Sequence, residues 1–176
     1  MLGVPAGKVI LIPWTEAWEQ EFEAEKRAIA SVIGGLVRGI HHIGSTAVKH
    51  LHAKPIIDIA IEVGDPCDAS ACIRGLEQTG YVCKGDMVLP ERYYLTKGKP
   101  RTHQIHLFHE GGRYLEQHLA FRDHLRSDEE DRHAYQLLKY RLAAAHHDDR
   151  IAYAEAKSDF VQEVLAKIRR NEAKPE

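Results

Sequence analysis

Cysteine is scarce in this 176-residue sequence, which contains only Cys67, Cys72 and Cys83. An odd number of cysteines without CxxC spacing argues against a disulfide framework and against a zinc-finger type of site. We therefore expect reduced thiols and a cytoplasmic protein. A chain of this length can bury a core without metals or disulfides as cross-links.

Long hydrophobic runs and an excess of basic charge are also missing. No stretch approaches the ~20 apolar residues that span a bilayer, and residues 1–8 do not begin a secretion signal. Neither secretion nor membrane insertion is expected. The sequence contains 24 Lys and Arg residues and 26 Asp and Glu residues, which gives a formal net charge of −2. This balance argues against binding of duplex nucleic acid or of an anionic membrane, and it leaves room for a local basic pocket.

The sequence does contain alternating helical and extended patterns. Helices are predicted at 14–33, 47–52, 67–79, 114–126, 131–145 and 151–170, strands at 36–43, 56–63, 81–82, 87–89, 93–96 and 102–109, and a hairpin turn at 97–100. The near-continuous hydrophobicity of Ile56–Val63 indicates a central strand. This order predicts one α+β domain over residues 1–176, with a mixed sheet, flanking helices and a C-terminal helical layer.

A Gly-Ser pair follows the predicted strand at 36–43. Gly44 and Ser45 can present backbone N–H groups and a hydroxyl to phosphate oxygens. Asp58 follows 13 residues after Ser45, inside an apolar strand where a charge without a partner is costly. Such a turn beside a strand carboxylate lets a divalent cation bridge protein and nucleotide. Lys54 is a candidate phosphate ligand. The alternatives are an ordinary helix entry at Gly44 and a solvated lysine.

These residues resemble a known family. The segments His42–Val48 (HIGSTAV) and Ala53–Ile59 (AKPIIDI) are similar to the signature of the GrpB family, which resembles the polymerase-β-like nucleotidyltransferases and also occurs fused to dephospho-CoA kinases. Later blocks of the family are matched in the same order at 101–107, 118–126, 135–139 and 153–160. The likeness extends from Trp14 to Ile168.

The resemblance implies a nucleotidyltransferase-like fold and the outline of a reaction. Enzymes of this superfamily place a Gly-Ser turn before a strand with two alternating carboxylates, and a third carboxylate on an adjacent strand completes the ligands of two Mg²⁺ ions. This sequence keeps Gly44, Ser45 and Asp58 but has Ala60 at the second carboxylate position. Glu62 lies about 13 Å beyond Asp58 along an extended strand, at ~3.3 Å per residue, which is too far to replace it.

The third carboxylate is expected on the strand at 102–109, where the chain offers His103 and His106 instead. Imidazole favours Zn²⁺ and other transition metals over Mg²⁺. One interpretation is that Asp58, His42, His103 and His106 hold a divalent metal, Mg²⁺ or Zn²⁺. Asp58 and His106 are also the candidate catalytic residues, with a general base acting on an acceptor hydroxyl. The alternative is that the histidines only form hydrogen bonds at the strand end.

Basic residues further along the chain complete the predicted pocket. Arg101 and Arg122 are expected to line its opposite wall and to bind phosphate or carboxylate, together with Arg126 and Lys139. Asp123 is equally placed to neutralise some of these charges.

Two functions of different classes follow from these residues. The first is an enzyme that binds a nucleotide with a divalent metal and transfers a nucleotidyl or phosphoryl group to a small acceptor. The second, motivated by Ala60, is a catalytically inactive domain of the same fold that binds a nucleotide, a coenzyme-A-like ligand or a protein partner. A third possible function is that of a metal-dependent hydrolase. It rests on the abundance of histidine alone, since no HExxH-type motif is present. We expect the partner to be a nucleotide or another phosphate-bearing small molecule.

Overall fold

A five-stranded mixed sheet forms the centre of the computed structural model, which describes residues 2–86 and 92–173. The strands are β1 (Val37–Ile43), β2 (Ile57–Val63), β3 (Val82–Asp86), β4 (Arg92–Lys97) and β5 (His103–His109). Their order across the sheet is β1-β2-β5-β4-β3. Strands β2 and β5 are parallel, and the other neighbouring pairs are antiparallel.

Helices flank this sheet and dominate the C-terminal part of the described chain. They are α1 (Ala17–Ile33), α2 (Ala69–Gln78), α3 (Arg113–Ser127), α4 (Glu129–Ala145), α5 (Arg150–Glu155) and α6 (Ser158–Glu172). The predicted α+β class, with a mixed sheet and a C-terminal helical layer, is therefore confirmed. The central position predicted for Ile56–Val63 is also confirmed, because β2 has a neighbour on each side.

The main core lies between one face of the sheet and the helices α1 and α2. Ile57, Ile59 and Ile61 of β2 point into it, since side chains alternate between the two faces of a strand. Trp18 and Phe22, which are four residues apart on α1, pack against this face. The helical spacing of the apolar residues in α1 thus explains why this helix covers the sheet.

The opposite face of the sheet carries the candidate site and is covered in part by α3. Ala60 of β2, Phe108 of β5 and Ile43 of β1 pack against Leu115 of α3 in a small apolar cluster. Asp58 lies two residues before Ala60 and therefore on the same face. The site is consequently built where the sheet meets the C-terminal helices.

The helix predicted at 47–52 is wrong. The chain forms only a 3₁₀ turn at Ser45–Ala47, after which Val48 is extended. Two carbonyl groups in this segment accept hydrogen bonds from side chains of other elements, because the Trp14 indole donates to Thr46 and the Arg126 guanidinium donates to Ala47. These tertiary contacts fix the irregular path of the segment.

The prediction of a single continuous helix at 151–170 is wrong, because this segment forms two helices. It is divided into α5 and α6 at residues 156 and 157. Ser158 and Asp159 begin α6, and both are residue types favoured at a helix start. The break places Lys157 beside the cavity described below.

The antiparallel part of the sheet agrees with the sequence analysis wherever it is described. The hairpin turn predicted at Lys97–Pro100 connects β4 to β5. Strand β3 begins at Val82, within the predicted segment 81–82. The strand predicted at 87–89 lies outside the described residues.

Candidate functional site

The turn after β1 requires glycine. Gly44 has φ 69° and ψ −171°, a combination that is essentially restricted to glycine. A Cβ atom at this position would lie 2.5 Å from Oδ2 of Asp58. The backbone of the turn therefore approaches the β2 carboxyl group more closely than any other residue type would allow.

Asp58 is held at the centre of the site by its neighbours in the sheet. It pairs with Ile43 of β1 and with Gln104 of β5, and the Gln104 amide donates a hydrogen bond to its Oδ1. Burial raises the pKa of the Asp58 carboxyl, while the Gln104 hydrogen bond and the positive charge of Lys54 oppose that rise. The carboxyl thus faces a cavity whose other charges are positive.

A cavity of about 480 Å³ opens in front of the turn and is bounded by β2, β5 and the C-terminal helices. Six residues predicted for the site line it: Gly44, Ser45, Lys54, Asp58, Arg122 and Lys139. The volume falls within the range of about 300–1,000 Å³ that is typical of small-molecule sites. The structure therefore places the Gly-Ser turn and the strand carboxylate in one ligand-sized space.

Two tyrosine–lysine pairs from the C-terminal helices form much of the opposite wall. Lys139 lies four residues after Tyr135 on α4, and its Nζ is 5.2 Å from the centre of the Tyr135 ring. Lys157 lies four residues after Tyr153, with 4.4 Å between its Nζ and that ring. Lys139 was predicted from the sequence as a residue of the pocket, whereas Tyr135, Tyr153 and Lys157 were not. The repeated Tyr-x-x-x-Lys spacing is the signal that identifies both pairs.

Three lysines line the cavity, and their surroundings disfavour the charged form of each. Burial lowers the pKa of Lys157 to about 8, and repulsion from Lys54 contributes. The pKa of Lys139 is also lowered, first by burial and then by the charges of Lys157 and Lys54. Burial lowers the pKa of Lys54 in the same way, and Asp58 partly compensates. Of the residues that line the cavity, Asp58 is the only carboxylate.

His42 and His103 lie on the other face of the sheet from Asp58. His42 pairs with Ile59, and its ring stacks on Phe22 of α1 at 4.6 Å between centroids. Its Nε2 lies 2.9 Å from the Thr46 hydroxyl, and burial lowers its pKa to about 3. A strand position next to that of Asp58 necessarily points to the opposite face. The predicted metal set of Asp58, His42, His103 and His106 is therefore not one cluster.

His103 belongs to a polar group beneath α1. The Thr102 hydroxyl lies 2.9 Å from its Nδ1, and Oε1 of Glu21 lies 3.5 Å from its Nε2. Lys97 on β4 forms a bidentate pair with the buried Glu25 close by. These contacts give His103 a structural role between sheet and helix.

His106 shares a sheet face with Asp58 but is set back from the cavity. It pairs with Ala60, and its Nδ1 lies 3.1 Å from the Arg92 guanidinium. The ring of His118 on α3 lies 5.7 Å from that of His106 and itself lines the cavity. Burial lowers the pKa of His106 well below its usual value and that of His118 to about 4. Both rings are thus neutral at physiological pH.

The predicted arginines differ in their positions. Arg122 lines the cavity, but it also forms a bidentate pair with Asp123 and donates to the backbone carbonyl of His42 at 3.0 Å. Arg101 donates to the Tyr94 hydroxyl at 2.8 Å and is outside the cavity lining. It acts on the site through its charge, which favours the ionised form of the Asp58 carboxyl.

Comparison with known proteins shows to which family this chain belongs. The family model described as "GrpB protein" matches residues 8–167. The chain belongs to the GrpB family. YqkA from Bacillus subtilis is 37% identical over 159 residues, which are 90% of this chain but 46% of YqkA, so the chain spans about half the length of that relative.

Solved structures agree with this family and with its fold. The crystal structure of GrpB from Enterococcus faecalis has a TM-score of 0.86 and 32% sequence identity, covering 94% of this chain and 100% of that one. The Cid1 poly(U) polymerase, solved with MgGTP bound, has a TM-score of 0.52 at 11% identity, over 76% of this chain and 44% of that chain. The GrpB fold of this chain is therefore nucleotidyltransferase-like. Among the described residues, no helix is long and apolar enough to cross a membrane.

The donor atoms of the site do not fit the metal pair that the resemblance to nucleotidyltransferases implies. Ala60 stands in an apolar cluster at the second carboxylate position, and Gln104 stands beside Asp58 on the neighbouring strand. Mg²⁺ prefers carboxylate and water oxygens in octahedral geometry, and one carboxylate among several lysines does not supply them. Within residues 2–86 and 92–173, the histidine and acidic groups close enough to share an ion are His124, Asp128 and Asp131, where Lys167 already pairs with both aspartates.

Proposed function

We propose that the cavity binds a phosphate-bearing small molecule, either a nucleotide or a coenzyme-A-like ligand. The phosphates lie against the turn at Gly44 and Ser45 and contact the ammonium groups of Lys54, Lys139 and Lys157. The domain binds this ligand without the second carboxylate of the superfamily enzymes, so that binding is the primary function.

The observation that supports this proposal is the grouping of three lysines around one carboxylate. Lys139 is buried, and Lys54 and Lys157 are half-buried. Removing a charged ammonium from water is costly unless an opposite charge compensates it. Asp58 can compensate one of the three lysines at most. A bound phosphate group is a compensating partner of the right charge for the other two.

The remainder of the cavity is suited to the uncharged part of such a ligand. Its lining includes neutral polar and aromatic side chains from α3 and α6: Tyr114, Gln117, His118, Phe121 and Gln162. Aromatic faces and amide groups are common contacts of ring systems in small-molecule sites. The cavity lining therefore offers contacts for the uncharged part of a ligand as well as for its phosphates.

Replacing Lys157 with glutamine is expected to weaken ligand binding at least tenfold, which corresponds to about 1.4 kcal/mol. A hydrogen bond to a charged group contributes about 1.5–3 kcal/mol, and the variant loses that charge. Calorimetry with ATP, GTP, CTP, UTP and coenzyme A measures the effect. Lys84→Gln is the matched control, because Lys84 is exposed on β3 and outside the cavity lining. Equal losses in both variants, or no binding by the wild-type protein, would contradict the proposal.

Ligand binding is also expected to take up protons near pH 8. The pKa of Lys157 is about 8 without ligand, and an adjacent phosphate favours the charged amine and raises that pKa. The complex then holds more protons than the free protein at this pH, so the affinity falls as the pH rises through 8. Calorimetry in two buffers with different ionisation enthalpies measures the uptake. An uptake that stays the same in Lys157→Gln would exclude Lys157 as its source.

Nucleotidyl transfer to a small acceptor is the second candidate function. It is favoured by the position of Asp58 beside the Gly44 turn and by the fold shared with the Cid1 polymerase. Release of pyrophosphate from nucleoside triphosphates, with Mg²⁺ or Zn²⁺ and candidate acceptors present, tests it. Release that disappears in Asp58→Asn would support transfer, whereas its absence in the wild-type protein leaves the binding function alone.

A further inference from the structure

The charges in the cavity are opposite in sign to those of a metal-dependent triphosphate site. A site of that kind uses clustered carboxylates to hold cations, and the cations in turn contact the phosphate oxygens. In this cavity the cationic groups belong to the protein itself, as Lys54, Lys139 and Lys157. The phosphate oxygens can therefore contact ammonium groups without an intervening ion.

We propose that these three lysines take the place of the metal pair, so that the cavity binds a di- or triphosphate as the free anion and not as its Mg²⁺ complex. This inference rests on the proposed function, because it concerns the chemical form of the ligand at the same site. It concerns phosphoanhydrides, because these are the ligands that a metal pair of that kind binds.

The three lysine side chains lie beside two tyrosines that line the same cavity. The Nζ atoms of Lys54 and Lys157 lie 5.3 and 4.4 Å from the centre of the Tyr153 ring. Lys139 lies over Tyr135, and the Ser45 hydroxyl of the turn opposes the rise in the pKa of that tyrosine, which burial brings to about 12. The aromatic rings and the ammonium groups thus line the same cavity as the turn. Cation–π contacts of this kind are individually weak, so they orient the lysines without neutralising them.

The ammonium groups retain donors for a ligand. Lys139 donates one hydrogen bond to the backbone carbonyl of His52. Among the residues that the structure describes, neither Lys54 nor Lys157 forms an ion pair with a carboxylate. An ammonium group has three donors, so each of the three lysines has donors that no hydrogen bond among the described residues uses.

The Mg²⁺ complex of the same ligand fits this wall less well. Bound Mg²⁺ occupies the phosphate oxygens that the lysines would contact, and it adds positive charge beside three ammonium groups. Asp58 is the only carboxylate in the cavity lining, and the Gln104 amide already donates to it. Hydrated Mg²⁺ gives up its waters reluctantly, so a single carboxylate does not offset these costs. The free anion is consequently the favoured ligand.

Calorimetry with inorganic pyrophosphate and with ATP tests this inference. Each probe is titrated in excess EDTA and again in saturating MgCl₂, with NaCl added to equalise the ionic strength, because screening alone weakens charge contacts. The affinity is expected to be at least tenfold higher in EDTA. Lys54→Gln and Lys157→Gln are expected to reduce this preference, whereas Lys84→Gln retains it.

The outcomes separate the inference from the proposed function. Tighter or equal binding in MgCl₂ overturns the inference and leaves the binding function intact. Failure of both probes to bind in either condition overturns both proposals. Burial already disfavours the charged form of Lys54 and of Lys157, so loss of that charge is expected to cost little stability and the lysine variants are suitable for this comparison. A thermal unfolding curve for each variant confirms that it is folded before titration.

Discussion

Replacing Ala60 with aspartate is expected to lower the free energy of unfolding by about 3–5 kcal/mol, the cost of an uncompensated buried charge. Ala60 is fully buried and packs with Ile43, Phe108 and Leu115. The variant introduces a carboxylate at the second position that the resemblance to nucleotidyltransferases implies, but it places that group under α3, away from solvent. We therefore expect loss of stability and no gain of nucleotidyl transfer.

The neighbours of Ala60 do not neutralise the added charge. His106 is its partner on β5, but the pKa of His106 is well below its usual value and the ring is neutral. Asp58 lies two residues earlier on the same face and repels a second carboxylate. Ala60 is thus part of an apolar layer, and a single substitution there is not expected to create a metal-binding pair of carboxylates.

Urea denaturation of Ala60→Asp and Ala60→Asn separates the effect of the added charge on stability from the effect of the larger side chain. The asparagine side chain has nearly the same volume as aspartate and carries no charge, so it is expected to cost less. Similar losses in the two variants would attribute the effect to crowding against Leu115 instead. A stable Ala60→Asp protein that releases pyrophosphate from nucleotides would contradict the packing described for this face and revive the transfer function.

The sequence alone was sufficient for the centre of the site because its residues are close together along the chain. Gly44, Ser45, Lys54 and Asp58 lie within 15 positions, on a turn and on the strand that follows, and all four line the cavity. Ile105 and Leu107 of β5 lie on the core face, as the alternation of side chains along a strand requires. That residues 1–176 form one domain stays a prediction.

The histidine part of the metal hypothesis failed because strand register cannot be derived from composition. His42 and His103 are within a few residues of the site in sequence, but each pairs at a position whose side chain points to the α1 face. A shift of one residue in register would have reversed this result. The twelve histidines of the chain favoured the prediction of a histidine-containing metal site. The pairing of the strands was needed to test that prediction.

Lys157 was missed for a different reason. The apolar periodicity of 151–170 predicts one continuous helix, in which Lys157 is an ordinary exposed position. The break before Ser158 and the packing of Tyr153 into the interior turn that lysine towards the cavity. The existence of a helix follows from periodicity, whereas its exact boundary depends on tertiary packing. The residues of the site that are distant in sequence from the turn could therefore be identified only from the structure.

Replacing Gly44 with alanine is expected to damage both stability and ligand binding. Its backbone lies in a region where other residues cost about 1–3 kcal/mol, and its new Cβ would lie 2.5 Å from Oδ2 of Asp58. Relief of that contact moves either the turn or the β2 carboxylate, and both line the cavity. We expect phosphate affinity to fall more than tenfold, or about 1.4 kcal/mol, in addition to the loss of stability.

Gly111→Ala is the matched control for this prediction. Gly111 has φ 68°, close to the 69° of Gly44, but a Cβ atom there would have no heavy atom within 4 Å. It therefore introduces a positive-φ alanine without the contact to Asp58. Denaturation and calorimetry on both variants distinguish the two effects: Gly111→Ala should lose some stability and keep its affinity. If Gly44→Ala binds pyrophosphate and ATP as tightly as Gly111→Ala, the turn does not contact the phosphates. The three lysines of the cavity must then bind the ligand without the turn.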